Sequence, residues 1–180
     1  MSATVQTGSG YFFMPEHIIL VGASERPHSL GERIFSHLLG SSYQGKITPV
    51  NLRHSSVAGI PSYSSLSKIP GQADLVVAVI PPDHYDSLFK ACRKKDLRHI
   101  ILIQDWENLP PESCKNARSI IQKHHGDELN ITVCNSAGIQ LPSLNLNIGT
   151  QADYPAGHIA LLTGHSTVSR NINHLLNTLH

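Results

Sequence analysis

Charge is scarce in this chain: Asp, Glu, Lys and Arg make up 15% of 180 residues, and the formal net charge is +1. Non-specific affinity for nucleic acid needs several clustered Lys and Arg, so a general polyanion binder is excluded. No apolar run approaches the about 20 residues of a membrane-spanning helix, and no membrane partner is expected. Residues 1–11 hold no basic segment followed by an apolar core, so no signal peptide is expected and the chain is assigned to the cytoplasm. Cysteine is also sparse. Cys92, Cys114 and Cys134 lie far apart without metal-ligand spacing, which fits reduced thiols, and Cys134 is expected to be a small buried apolar residue. Histidine is plentiful, at 12, but scattered, and the pair His124-His125 is expected to be solvated at a helix end. No Ser-His-Asp ordering, H-E-x-x-H or Walker loop occurs, and His165 has no paired acid or nucleophile in the sequence pattern.

What the chain does hold is an alternation of strands and helices with short connections. Strands are expected at 17–22, 46–51, 74–80, 99–104 and 130–134. Helical stripes recur at i, i+3, i+4 as Leu30, Ile34, Phe35 and Leu38, then Tyr85, Leu88, Phe89 and Cys92, then Cys114, Ala117, Ile120 and Ile121. Pro49 cannot donate to a sheet ladder, so the second strand belongs near an edge or a strand end. Segment 74–80 is apolar without alternation, as in a strand covered on both faces. Such repeated units give an α/β, doubly wound, Rossmann-like parallel sheet with helices on both faces, joined by right-handed crossovers. The Ser- and Pro-rich stretch 55–70 holds at most a turn or two of helix near 64–68. Residues 1–14 form a tail, 15–140 the main domain, and 141–156 a linker, the whole stretch 140–156 reading as loop. Residues 157–180 form a further strand–helix unit, with a strand at 158–163 and a helix carrying Val168, Ile172, Leu175, Leu176 and Leu179.

Ligands of this fold class sit at the carboxyl ends of the strands. There the first strand runs into Gly22-Ala23-Ser24, then a loop with Arg26, then Ser29 and Gly31 at the start of a helix. Strand, tight turn and helix N-terminus together make an anion site, because small residues admit a ligand and free helix N–H groups point at its phosphates. An NAD-specific unit carries an acid at the end of its second strand to bond the ribose hydroxyls. Here that run is Val50-Asn51-Leu52-Arg53-His54, with a cation and no acid. Arg53 suits an extra ribose phosphate, which both NADP and coenzyme A carry.

Several segments also resemble a known family. Val21-Gly22-Ala23-Ser24 followed by Ile47-Thr48-Pro49-Val50-Asn51 is similar to the opening motifs of CoA-binding domains in NDP-forming acyl-CoA synthetases. Val57-Ala58-Gly59-Ile60-Pro61-Ser62-Tyr63-Ser64-Ser65-Leu66 resembles that family's V-x-G-x-P-x-Y-x-S-L segment, and Asp74 to Pro81 its D-L-x-V-x-x-x-P strand. Asn135-Ser136-Ala137-Gly138 stands where the family has G-P-N-S/C-L-G, and Leu144-Asn145 resembles the following G-L-N. The nearest variant is the synthetase-like portion of bacterial protein lysine acetyltransferases. The resemblance implies a site for CoA or acetyl-CoA built from Gly22, Ala23, Ser24, Arg26, Ser29, Gly31, Val50, Asn51, Arg53, His54, Ile80, Pro81, Gln104, Trp106, Asn135 and Ser136. It also implies that residues 157–180 are the truncated start of a second, flavodoxin-like domain, the alternative being an added edge unit of the first sheet.

The departures shape the functional expectation. Val133-Cys134 replaces Gly-Pro, Gly164-His165 replaces a Ser-Gln or Ser-Arg pair, and Gln104-Asp105-Trp106 replaces a Ser-Ala-Gly turn. Trp106 is expected to stack on an adenine or simply to pack, ahead of obstructing a pantetheine arm. The family's phosphorylated histidine, its ATP-grasp portion and an acetyltransferase R/Q-x-x-G-x-G/A loop are absent from these 180 residues. The expectation is a module that binds a small-molecule CoA ester, regulatory or non-catalytic alone, assembled as a homodimer through its C-terminal unit. The alternatives are an NADP-dependent oxidoreductase with a degenerate fingerprint and a vestigial interaction domain.

Overall fold

The computed structural model describes residues 14–126, 128–158 and 160–178. Along the chain run β1 (His17–Val21), β2 (Lys46–Val50), a short hairpin of β3 (Ser56–Val57) and β4 (Ile60–Pro61), then β5 (Leu75–Ala78), β6 (His99–Ile103) and β7 (Asn130–Cys134), and a second hairpin of β8 (Ile139–Leu141) and β9 (Leu146–Ile148). The helices are α1 (Leu30–Gly40), α2 (Tyr85–Lys94), α3 (Pro111–His124) and α4 (Ser166–Thr178). Five strands form one parallel sheet in the order β2–β1–β5–β6–β7. From β1 the chain builds outward to β2 on one side and to β5 on the other, so the strand order reverses between β1 and β5. The Rossmann-like α/β class expected from the sequence is the observed one.

Each strand sends alternate side chains to opposite faces. On one face Ile19, Val76, Ala78, Ile100 and Leu102 pack with Tyr85, Phe89 and Cys92 of α2 and Ala117 of α3. On the other, Ile18, Leu20, Leu75, Val77, Ile101 and Ile103 meet Ile34, Phe35 and Leu38 of α1. β5 is buried along its whole length, as its unbroken apolar run requires. Pro49 lies on the edge strand β2, opposite Leu20.

Several expectations need correction. The stretch 140–156 is not all loop: β8 and β9 pair antiparallel, and Leu146 and Ile148 pack beside α1 on the sheet. Each strand is three residues long, too short for a period to show, and the connection turns at Asn145 with φ +51°, a conformation Asn tolerates. The hairpin β3–β4 hides in the Ser/Pro-rich stretch, turning through Ala58 and Gly59 with φ +49° and +77°. Two positive φ values in succession match the twist of hairpin strands. In α3 only Ala117 and His124 are buried, while Cys114, Ile120 and Ile121 are half-buried.

His124 is not solvated. Its imidazole is 5% exposed, Nδ1 lies 2.5 Å from Arg93 Nη1, and Nε2 lies 2.8 Å from Asp86 Oδ1. A guanidinium only donates, so Nδ1 accepts and Nε2–H donates to Asp86. Hydrogen bonds from Lys90, His124 and Lys123 hold the Asp86 carboxyl well below the usual carboxylate range. The cluster pins the end of α3 to α2.

The expected strand at 158–163 is absent: residue 158 and residues 160–163 have no regular structure, and Ile159 lies outside the described residues. The helix of that unit does form, as α4, although Leu179 also lies outside the described residues. An apolar run forms a strand only where a neighbour completes its ladder, and the sheet's edges are β2 and β7. His165 Nδ1, just ahead of α4, lies 3.7 Å from Glu107 Oε1 in the segment after β6.

Tyr85 is fully buried and its hydroxyl finds no hydrogen-bond partner among the described residues. An unsatisfied buried polar group costs about 1–3 kcal/mol. Tyr85→Phe is therefore expected to leave stability unchanged or raise it, read as an equal or higher urea midpoint at unchanged slope. A drop of more than about 1 kcal/mol would show that the hydroxyl is bonded.

Candidate functional site

The turn after β1 is held by backbone. Gly22 N–H donates to the Val50 carbonyl at 3.1 Å, and Val79 N–H donates to the Val21 carbonyl at 2.8 Å, so the ends of β2, β1 and β5 are joined. Gly22 has φ +92°, and a Cβ there would stand 2.2 Å from the Val79 carbonyl oxygen and 3.1 Å from Ile80 Cγ2. A Cβ on Gly31 would stand 2.1 Å from the Gly22 carbonyl oxygen. These two glycines let β1, β5 and the start of α1 meet backbone to backbone. The need for Gly22 thus comes from the protein's own strands, where the sequence suggested ligand approach.

Beyond Gly22 the turn opens. Ala23 is buried and Ser24 half-buried, and Ser24 Oγ accepts from Arg26 N–H at 3.0 Å. Ser29 caps α1 by accepting from Glu32 N–H at 3.2 Å. The N–H groups of Ala23, Ser24, Leu30 and Gly31 have no acceptor among the described residues. Unpaired N–H groups on a turn and on the first residues of a helix form an anion cradle.

Asn51 joins this turn to the next loop. Its Nδ2 donates to the Ala23 carbonyl at 2.8 Å, while its Oδ1 accepts from Arg53 N–H at 2.8 Å and His54 N–H at 3.1 Å. The Asn51 amide is therefore occupied by the protein, and it positions Arg53 and His54 beside the turn. Val50, which precedes it, is 5% exposed and belongs to the core. Glu25, which sequence reasoning missed, accepts from Ala58 N–H at 2.6 Å and ties the turn to the β3–β4 hairpin. No local pattern marks it, because its partner is a backbone group in a hairpin that was itself not foreseen.

The remaining candidates stand along the same carboxyl edge. Ile80 and Pro81 follow β5, with Ile80 beside Gly22. Gln104 N–H donates to the Cys134 carbonyl at 3.2 Å, and Trp106 Nε1–H donates to the same carbonyl at 2.8 Å. The half-buried indole also packs against the core, so it is a fixed wall. Cys134 is half-buried where the sequence suggested a buried residue, and desolvation pushes its thiol up to about 11, so it stays protonated at neutral pH. Asn135 Oδ1 accepts from Ala137 N–H, and the Ser136 carbonyl accepts from both Thr150 N–H and Thr150 Oγ1–H. Arg33 of α1 donates to the Thr150 carbonyl at 3.2 Å, so the loop after β9 clasps the site's far end to α1. Among the described residues there is no group of three or more His, Cys, Asp and Glu that could hold a metal, and no helix long and apolar enough to cross a membrane.

A parallel sheet with a glycine turn and an anion cradle at its topological switch defines a Rossmann-like nucleotide-binding domain. Residues 16–141 match the model of a CoA-binding domain family, and the chain belongs to that family. It is 30% identical over 155 residues to the alpha subunit of acetate–CoA ligase [ADP-forming] II from Pyrococcus furiosus, covering 85% of this chain and 34% of the relative. It is 25% identical over 140 residues to the alpha subunit of acetate–CoA ligase [ADP-forming] I from the same organism, covering 75% of this chain and 30% of the relative. The chain thus spans about a third of these curated relatives, at 34% and 30% of their lengths. Among solved structures, the apo form of a dinucleotide-forming acetyl-coenzyme A synthetase 1 from Ca. Korarchaeum cryptofilum matches with a TM-score of 0.78 at 21% identity, covering 93% of this chain and 37% of that one. PH0766 from Pyrococcus horikoshii matches with a TM-score of 0.77 at 23% identity, covering 95% and 40%. Both share the fold.

Because Gly22 is wedged between strands, substitution there is a test of folding before it is a test of binding. Gly22→Val is expected to cost at least about 2 kcal/mol, from left-handed backbone strain plus the collision with the Val79 carbonyl. Thermal unfolding of the variant checks this, and a melting temperature equal to that of the wild type would show that the turn has room the structure denies it.

Proposed function

We propose that this chain holds coenzyme A or a CoA ester, acetyl-CoA included, at the carboxyl edge of its sheet, and that it binds the cofactor without transforming it alone. The observation that carries this reading is the cradle of unpaired N–H groups on Ala23, Ser24, Leu30 and Gly31 at the switch point, in a CoA-binding family member. The diphosphate belongs over that cradle, where helix and turn donors favour a dianion. Asn51 presents Arg53 and His54 to the ribose phosphate, and the fixed indole of Trp106 with Asn135 and Ser136 forms the far wall. On this reading the chain is a regulatory or a non-catalytic module that holds a CoA ester. The likeness of its sequence to the synthetase-like portion of protein lysine acetyltransferases fits such a role. Since the match covers about a third of each ligase subunit, 34% and 30%, ligase activity is not carried over.

A ligand panel tests this directly. At a concentration 100 times its dissociation constant, a ligand stabilises by about 2.7 kcal/mol, which for a chain of this size is about 5 to 10 °C in Tm. CoA and acetyl-CoA are expected to give that shift and NADH none. A larger shift with NADPH would assign the site to an NADP-dependent oxidoreductase, and no shift with any nucleotide would leave a vestigial interaction domain.

The homodimer is proposed on apolar exposure. Leu162 is 99% exposed, Leu175 57%, Val168 47% and Leu161 44%, all within the last twenty residues described. Burying each such side chain is worth roughly 1.5 to 3 kcal/mol. The face of α4, and no longer a strand edge at 158–163, is the surface a second copy would cover. Sizing of the full chain against a version ending at Ala156 is expected to give a dimer and a monomer. Two monomers of equal stability would make the segment a passive extension.

A further inference from the structure

Arg53 forms one wall of a cleft whose other wall comes from a segment in which the sequence singled out no site residue. The cleft has a volume of about 300 Å³ and lies between the loop after β2 and the stretch leading from β4 into the single 3-10 turn Leu66–Lys68. Arg53, His54 and Lys68 line it together with Ser55, Ser62 and Ser64, the Ser62 hydroxyl donating to the Pro49 carbonyl, and no carboxylate among the described residues lines it. The Arg53 guanidinium has no protein partner among the described residues, only its backbone N–H being engaged. Lys68 Nζ donates to Ser64 Oγ at 2.8 Å and meets no acid among the described residues. Lys90 and Lys123, by contrast, are both paired with Asp86. At the mouth Leu52 is 82% exposed, and Tyr63 contributes to the lining. Two cations with no acid partner among the described residues, lining one cleft with serines beside an apolar lip, are complementary to a phosphomonoester on a nucleoside.

We propose that this cleft is a clamp for the ribose phosphomonoester of the bound cofactor, the 3′-phosphate in CoA, with Lys68 as the second cation opposite Arg53. The proposal rests on the CoA reading and adds to it the residue that sets selectivity for the phosphorylated ribose. A phosphomonoester is close to a dianion at neutral pH, and one cation leaves it half neutralised. Arg53 grips two of its oxygens with its planar fork, and Lys68 supplies a point charge to the third. Ser64 holds Lys68 in place while its own hydroxyl proton stays free for the phosphate. Asn51 holds the Arg53 wall, so the clamp and the diphosphate cradle are set at a fixed spacing.

The test is calorimetric binding of CoA, 3′-dephospho-CoA and NADPH to the full chain, its Lys68→Ala, Lys68→Arg and Arg53→Ala variants and the Arg53→Ala/Lys68→Ala double variant, at low and high salt. Lys68→Ala is expected to weaken CoA about tenfold at low salt, less at high salt, and to leave dephospho-CoA within about twofold. Lys68→Arg keeps most of the affinity, and the double variant binds CoA and dephospho-CoA alike. The Lys68 and Arg53 side chains are both exposed, so these substitutions remove no buried group and the variants are expected to fold. Equal losses for CoA and dephospho-CoA, or a wild-type chain that binds the two equally, overturn the clamp and leave the CoA reading standing. NADPH bound more tightly than CoA with the same dependence on Lys68 supports the clamp and overturns the CoA reading. A wild-type chain that binds none of the three overturns both.

Discussion

Where β1 ends, three stretches of backbone converge with no side chain between them. Gly22 lies against the Val79 carbonyl on one side, and its own carbonyl lies where a Cβ of Gly31 would be on the other. This contact brings the start of α1 down onto the sheet and aims its unpaired N–H groups at the switch point between β1 and β5. Everything proposed about a bound anion depends on that direction. A side chain at either glycine would collide with backbone and push the helix start away from the strand end.

The site is then assembled by polar ties between loops, each made by one or two side chains. Asn51 links the turn after β1 to the loop after β2, Glu25 links the same turn to the β3–β4 hairpin, and Thr150 links the turn after β7 to α1 through Arg33. None of these ties closes within its own element. They fix the spacing between donors and cations, which are otherwise on separate loops, and such preorganisation lowers the cost of ordering them on binding. Trp106 extends the same logic to the far wall, since its indole N–H is taken up by the Cys134 carbonyl.

Away from the site the structure uses charge sparingly and locally. The Asp86–His124–Arg93 cluster binds α2 to α3 where apolar contacts thin out, because α3 offers only Ala117 as a fully buried apolar residue. Lys90, Lys123 and His124 all contact Asp86, while Arg93 bonds His124 and Glu128. A chain with so few charges has concentrated several of them where helix packing alone is weakest.

The class of fold, the edge position of Pro49, the buried β5 and the amphipathic faces of α1 and α2 followed from the sequence, because each rests on a period or a backbone restriction acting over neighbouring residues. The strand–turn–helix order at Gly22 and the cation at Arg53 were legible too, because their pattern is contiguous, while their role toward an anion stands as a proposal. The two hairpins, the burial of His124, the non-strand state of 160–163, the steric need for Gly22 and the cleft that pairs Lys68 with Arg53 were not. Those features depend on which distant segment lies opposite: a three-residue strand exists only if its partner arrives, and a histidine is buried only if Arg93 and Asp86 reach it. Local order was written into the residues, whereas partners and spacings were decided when the sheet brought the ends of its strands together.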